Sequence, residues 1–162
     1  MDIKPAQEQD IIDVLYLLKQ ERERACEPHP ENPICEYSTL KDNIGQGRVY
    51  LLAHHKISIG TFSMYFPGEE SVGKQGDSAL QINRITIASY WINNETLAEI
   101  LDFLEDYARQ HGFTRIHFLI NSCNSKMNNF YNDLGFSFLG RTSSPDTHTP
   151  CNVYEKEVSG FS

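Results

Sequence analysis

Apolar and polar positions along the chain switch between two periods, and the switches mark the elements. Residues 3–5 read as a short first strand ending at Pro5, which has no N–H for a ladder. Ile11, Val14, Leu15 and Leu18 then recur at helical spacing, with Ile12 and Leu17 widening the stripe, and residues 19–24 continue as a charged face. Three prolines in Cys26-Glu-Pro-His-Pro-Glu-Asn-Pro33 forbid further helix and predict a loop. Glu27, Glu31 and Glu36 in and beside it face either an amine or plain solvent. A short helix is expected over 38–44, with Ser38 as N-cap and Gly45-Gln-Gly47 as its stop. Residues 48–54 and 58–66 read as a hairpin, packing through Tyr50, Leu52, Ile59, Phe62 and Tyr65. His54 and His55 fall at its turn, and as neighbours on a strand they are expected to point to opposite faces.

The second half is more regular. Leu80, Ile82, Ile85 and Ile87 predict a strand over 79–87, and their shift from even to odd positions predicts a bulge between Ile82 and Ile85. Leu97, Ile100, Leu101, Leu104 and Ala108 form a helical stripe stopped at Gly112, with Thr96 and Glu99 matching a capping box. Ile116, Phe118 and Ile120 alternate as a strand over 115–121, and residues 124–134 read as a helix. Two strands, 136–139 and 153–158, are expected to close the chain across the polar turn Ser143-Ser-Pro-Asp146.

Composition narrows the class. With 162 residues, 40% of them hydrophobic, and nine Phe and eight Tyr, the chain is expected to fold as one domain spanning 1–162. No apolar run approaches the roughly 20 residues needed to cross a bilayer, and no charged-then-apolar leader opens the chain, so a cytoplasmic protein without membrane partners is expected. The net charge of −8 argues against nucleic acid, because phosphate binding needs a basic patch. It suits a cationic substrate, or solubility alone. Cys26, Cys35, Cys123 and Cys151 lack CxxC spacing, and Cys26, His29 and Cys35 match no usual zinc pattern, so no metal is expected and the thiols read as reduced. Gly68-Glu-Glu-Ser-Val-Gly73-Lys74-Gln75 nearly spells a nucleotide-binding loop. Its last position offers no hydroxyl to magnesium, however, and no helix pattern follows.

The element order β-α-α-β-β-β-α-β-α-β-β resembles the GCN5-related N-acetyltransferase (GNAT) family over nearly the whole chain. The resemblance is most specific at Asn124-Ser-Lys-Met-Asn-Asn-Phe-Tyr131-Asn-Asp-Leu-Gly135-Phe136, similar to the family's segment of Asn, then Tyr, then Leu-Gly-Phe. It implies an α/β (α+β) fold, with a mixed, mostly antiparallel sheet of about six or seven strands and helices on both faces. It also implies acetyl (or acyl) transfer from acetyl-CoA to an amine of a small molecule or peptide, and a homodimer as partner state. Ile85-Thr86-Ile87 takes the place of the cofactor-facing strand, with the Ile87 N–H as oxyanion donor. Asn124 takes the place of a pantetheine contact or a helix N-cap. Tyr131 takes that of the acid for the departing thiolate, or of a packing aromatic.

Two positions depart from the family pattern. Its usual carboxylate lies near Asn83, and Gln81, Asn83 and Arg84 offer no base. The pyrophosphate loop, normally glycine-rich, reads Ile92-Asn93-Asn94-Glu95-Thr96-Leu97, so Asn93, Asn94, Thr96 and Leu97 stand at the cofactor positions with Glu95 among them. These departures keep two alternatives open: a catalytically inactive binding module, and an acyltransferase whose donor is an acyl carrier protein.

Overall fold

In the computed structural model, residues 1–24, 33–65, 79–143 and 150–158 are described, without the side chains of 22–24, 33–36 and 84. The nucleotide-loop look-alike, Cys26, His29, the Cys35 side chain and most of the 143–146 turn lie outside them. Among the described residues seven strands form one sheet: β1 (Asp2–Pro5), β2 (Val49–His54), β3 (Ile57–Tyr65), β4 (Ala79–Ile87), β5 (Arg115–Asn121), β6 (Ser137–Ser143) and β7 (Pro150–Glu157). Their order is β1-β2-β3-β4-β5-β7-β6. Only β4 and β5 run parallel; every other neighbouring pair is antiparallel. A parallel pair needs a crossover, and helix α3 (Asn94–Gln110) supplies it.

Alternation sends each strand's side chains to two different helical layers. On one face, α1 (Ile11–Arg24) and α2 (Pro33–Gly45) bury Ile11, Val14, Leu17, Leu18, Leu40 and Ile44 against Val49 and Leu51. Ile12 is 68% exposed, so the apolar stripe of α1 is narrower than its composition suggests. Ser38 lies within α2 rather than at its start, because the helix begins five residues earlier at Pro33, a residue suited to a first turn. On the other face, α3 and α4 (Ser125–Asp133) cover the larger core, where Ile100, Leu104 and Ala108 meet Leu80, Ile82, Ile116 and Phe118. Helix α4 stops at Gly135, whose φ of +80° lets Phe136 N–H reach back to Tyr131 O at 3.2 Å.

The hairpin between β2 and β3 turns at His55 and Lys56, whose φ values of 48° and 67° match a tight two-residue turn. His55 thereby leaves the strand, and its ring lies 4.2 Å from that of His54 instead of on the opposite face. The two closing strands are both longer than their apolar cores imply, since ladder bonds between β6 and β7 continue to Ser143↔Pro150. Among the described residues, no helix is long and apolar enough to cross a membrane.

Strands β3 and β4 approach unusually closely at one point. A Cβ added to Gly60 would sit 2.8 Å from Thr86 O, so even a methyl group must move the backbone. Gly60→Ala is therefore expected to lower stability by about 1–3 kcal/mol, the usual range for overpacking. A urea titration reads this as a lower midpoint at unchanged slope.

Candidate functional site

The site begins where the parallel pairing stops. β4 and β5 are in register from Ala79↔Arg115 to Asn83↔Leu119, after which β4 runs on to Ile87 and β5 to Asn121 unpaired with each other. At that point Arg84 and Ile85 together oppose the single residue Phe62 of β3, because the register passes from Ser63↔Asn83 to Thr61↔Thr86. This is the bulge that the even-to-odd shift predicts. Beyond it, Ala88 N–H donates to Ile59 O at 2.8 Å, which makes Gly60↔Ile87 a non-hydrogen-bonded pair. The Ile87 N–H consequently points away from β3, to the side on which β5 has separated. The side chains of Ile85 and Ile87 are buried in the core, so this stretch offers its backbone to the gap.

Two parallel strands deliver their following helices to the same end of the sheet, and both α3 and α4 begin beside the gap. The start of α3 is capped internally. Asn93 Oδ1 accepts from Thr96 N–H at 2.9 Å, and Asn93 O accepts from Leu97 N–H at 3.1 Å. The cap is Asn93, not Thr96 with Glu99, since the helix begins at Asn94 and Thr96 already lies inside its first turn, donating its N–H to Asn93. Asn93, Asn94 and Glu95 are exposed while Thr96 and Leu97 are buried, which leaves the first-turn N–H groups of Asn94 and Glu95 facing outward.

Helix α4 is tied down more tightly. Asn124 Oδ1 accepts from Met127 N–H at 3.2 Å, and its Nδ2 donates to Glu21 at the far end of α1. One turn on, Asn128 uses every hydrogen-bonding position it has. Its Nδ2 donates to Asn121 O at 2.9 Å and Asn124 O at 2.8 Å, and its Oδ1 accepts from Asn152 Nδ2 at 2.7 Å and Tyr154 OH at 2.8 Å. The exit of β5, the start of α4 and the middle of β7 are joined through this one side chain.

Tyr131 follows on the same helix and is fully buried. Its ring packs 5.2 Å from Phe118, 5.2 Å from Phe136 and 5.6 Å from Tyr154. Its hydroxyl has no hydrogen-bond partner among the described residues. Burial pushes the phenol well above its ordinary pKa, so the group keeps its proton at neutral pH. Asn83 Nδ2, Asn121 Nδ2 and Asn152 Oδ1 are likewise buried without partners among the described residues.

A polar row on the α1 side of the sheet was not singled out from the sequence. Gln81 Nε2 donates to Asn83 Oδ1 at 3.2 Å. In register beside Gln81 is His117, and beside His117 is Glu155, with His117 Nε2 and Glu155 Oε2 2.9 Å apart. Arg115 Nη1 stands 3.5 Å from the same carboxylate oxygen. The available signal was a histidine alternating with the apolar residues of β5, facing away from the main core. Among the described residues, no group of three or more His, Cys, Asp or Glu is placed to hold a metal ion.

No family model and no curated protein matches the sequence. The fold does match solved structures. A GNAT-family acetyltransferase from Staphylococcus aureus Mu50 aligns at TM-score 0.72 and 11% identity, covering 98% of this chain and 99% of that one. PaiA N-acetyltransferase from Thermoplasma acidophilum, solved in complex with coenzyme A, aligns at TM-score 0.68 and 12% identity over 96% and 98%. Ribosomal-protein-alanine N-acetyltransferase from Brucella melitensis aligns at 0.64 and 15% over 97% and 99%. The chain has the GNAT acyltransferase fold.

The Asn93 cap is testable without any ligand. Asn93→Ala is expected to cost about 1 kcal/mol of stability and Asn93→Gly only a few tenths, because glycine tolerates the cap geometry. Thermal melts of the two variants beside wild type check that order.

Proposed function

We propose that this chain transfers an acetyl group from acetyl-CoA to the amine of a small molecule or peptide. The observation that carries the reading is the Ile87 N–H turned into a gap between parting parallel strands, with two helix N-termini at its open end. Acetyl-CoA, when bound, supplies the acyl group as a thioester. The backbone of Ile85 and Ile87 lines the carbonyl, and the Ile87 N–H donates to the oxygen as charge develops on it. Asn124 flanks the pantetheine arm. Tyr131, holding its proton by burial, gives it to the departing sulfur. The net charge of −8 favours a cationic acceptor over an anionic one.

The residues present suit the two parts of this cosubstrate unequally. The pantetheine and acyl end meets the open backbone of β4. The pyrophosphate end meets Asn93, Asn94, Thr96 and Leu97, where the N–H groups of Asn94 and Glu95 remain to donate but those of Thr96 and Leu97 are already bonded to Asn93. That self-capping favours a second reading, a donor carried on an acyl carrier protein, which brings the same arm without a nucleotide.

Acetyl-CoA at 100 times its dissociation constant is expected to stabilise the protein by about 2.7 kcal/mol. A melting temperature that does not respond to millimolar acetyl-CoA overturns the reading, and a response to acyl-phosphopantetheine alone moves it to the carrier-protein donor. Tyr131→Phe is expected to leave the melting temperature unchanged or slightly higher, since it removes an unpartnered buried hydroxyl, while turnover falls about 100-fold. Full turnover in that variant removes Tyr131 from the mechanism.

Glu95 gives a separate test. Neutralising it by Glu95→Gln, with glycine restored by Asn94→Gly, is expected to tighten acetyl-CoA binding about tenfold. Calorimetry checks this, and an unchanged affinity shows that the carboxylate does not oppose the phosphates.

A further inference from the structure

We propose that His117, held by Glu155, is the proton acceptor for the attacking amine, an assignment that rests on the acyl-transfer reading above. The amide at Asn83 cannot serve, because neither of its polar atoms is basic. His117 stands on the neighbouring strand, on the face that Asn83 shares through its bond to Gln81, two residues and about 7 Å before the strands part. The pair is enclosed, with side-chain exposures of 7% for His117 and 18% for Glu155.

Geometry decides which nitrogen is the base. Glu155 Oε2, 2.9 Å from Nε2, accepts the proton that nitrogen carries, and this leaves the lone pair on Nδ1. Nδ1 has no hydrogen-bond partner among the described residues. The charged groups facing the ring are Glu155 and Glu157 of β7 and Arg115 of β5. β4 contributes the neutral Gln81 and Asn83, Tyr65 of β3 lies beyond Gln81 with the Arg48 guanidinium over its ring, and α1 carries Glu21, which bonds Asn124.

The step balances as follows. One amine N–H proton passes along bridging water to Nδ1, one water being held by the buried Asn83 Nδ2–H, which has no partner among the described residues. The amine nitrogen bonds to the acyl carbon, the carbon–sulfur bond breaks with its electron pair on sulfur, and Tyr131 supplies the proton that completes the thiol. The imidazolium then loses its proton to solvent, from which Tyr131 is reprotonated. The products are the amide and free CoA.

The test measures thiol release from acetyl-CoA with n-butylamine, spermidine and an alanine-terminated peptide as probe acceptors, alongside acetyl-CoA stabilisation of the same samples. His117→Gln is expected to lower kcat about 100-fold with the KM for acetyl-CoA within about twofold of wild type, and to remove the acid limb of the pH–rate profile. Glu155→Gln lets the ring carry its proton on Nδ1 and is expected to slow turnover in the same direction. Stabilisation together with an undiminished rate and intact acid limb in His117→Gln overturns the assignment and leaves acyl transfer standing. Stabilisation without thiol release from wild type on any probe also overturns it, since a competent base turns over a small unhindered amine. If acetyl-CoA stabilises nothing, the acyl-transfer reading fails and this assignment falls with it.

Discussion

Everything at this site depends on ending one parallel strand pairing early. A β-ladder that stops in the interior leaves peptide groups without partners, and buried peptide groups are costly to leave so. Here the cost is contained by the bulge at Arg84 and Ile85, which lets β4 stay bonded to β3 while its other edge turns toward open space. Gly60 allows that continued pairing, because β3 must come within a methyl group's width of Thr86 O. The freed Ile87 N–H is thus a donor prepared by the fold rather than by any side chain.

The other wall of the gap needs separate support, since β5 has lost β4 as a neighbour beyond Leu119. Its exit is held from β7 and from α4, and Asn128 joins all three. Four hydrogen bonds on one buried amide satisfy the Asn128 side chain completely and fix its orientation, so that it holds the three elements rigidly together. The same helix carries Asn124 at its N-cap beside the gap and, two turns on, Tyr131 into the core. Tyr131 is a packing aromatic whose burial among the rings of Phe118, Phe136 and Tyr154 raises its pKa and keeps it protonated, which is the state the proposed acid role needs.

How much of this the sequence could show follows from the range of each interaction. The switch from Leu80 and Ile82 to Ile85 and Ile87 displays the bulge directly, because side-chain alternation is local. The Leu-Gly-Phe stop at Gly135 is equally local. The capping rule failed at Thr96 for a reason that is also local: Asn93, an equally good cap, lies three residues upstream, and the spacing alone does not rank them. Asn128 and His117 were missed because their partners are far away in the chain. Asn128 meets Asn152 and Tyr154 across 24 and 26 positions, and His117 meets Glu155 across 38. Nothing in the pattern around either residue pairs them before the register of β5 and β7 is known.

The glycine-free turn is best judged by magnitude. For a phosphate to use the Thr96 N–H it must displace the Asn93 side chain, a contribution of about 1 kcal/mol. A solvent-exposed Glu95 about 4 Å from a phosphate oxygen adds ~1 kcal/mol of repulsion in water, and less as salt screens it. Together they amount to about a thirtyfold weaker complex. That is enough to turn a micromolar nucleotide site into one of tens of micromolar, and too little to abolish it. A pantetheine arm lying along the backbone of β4, as the acetyl-CoA proposal has it, would be untouched by either term. On the acetyl-CoA proposal, the departures at this turn weigh on the nucleotide end of the donor and leave the acyl end as it is.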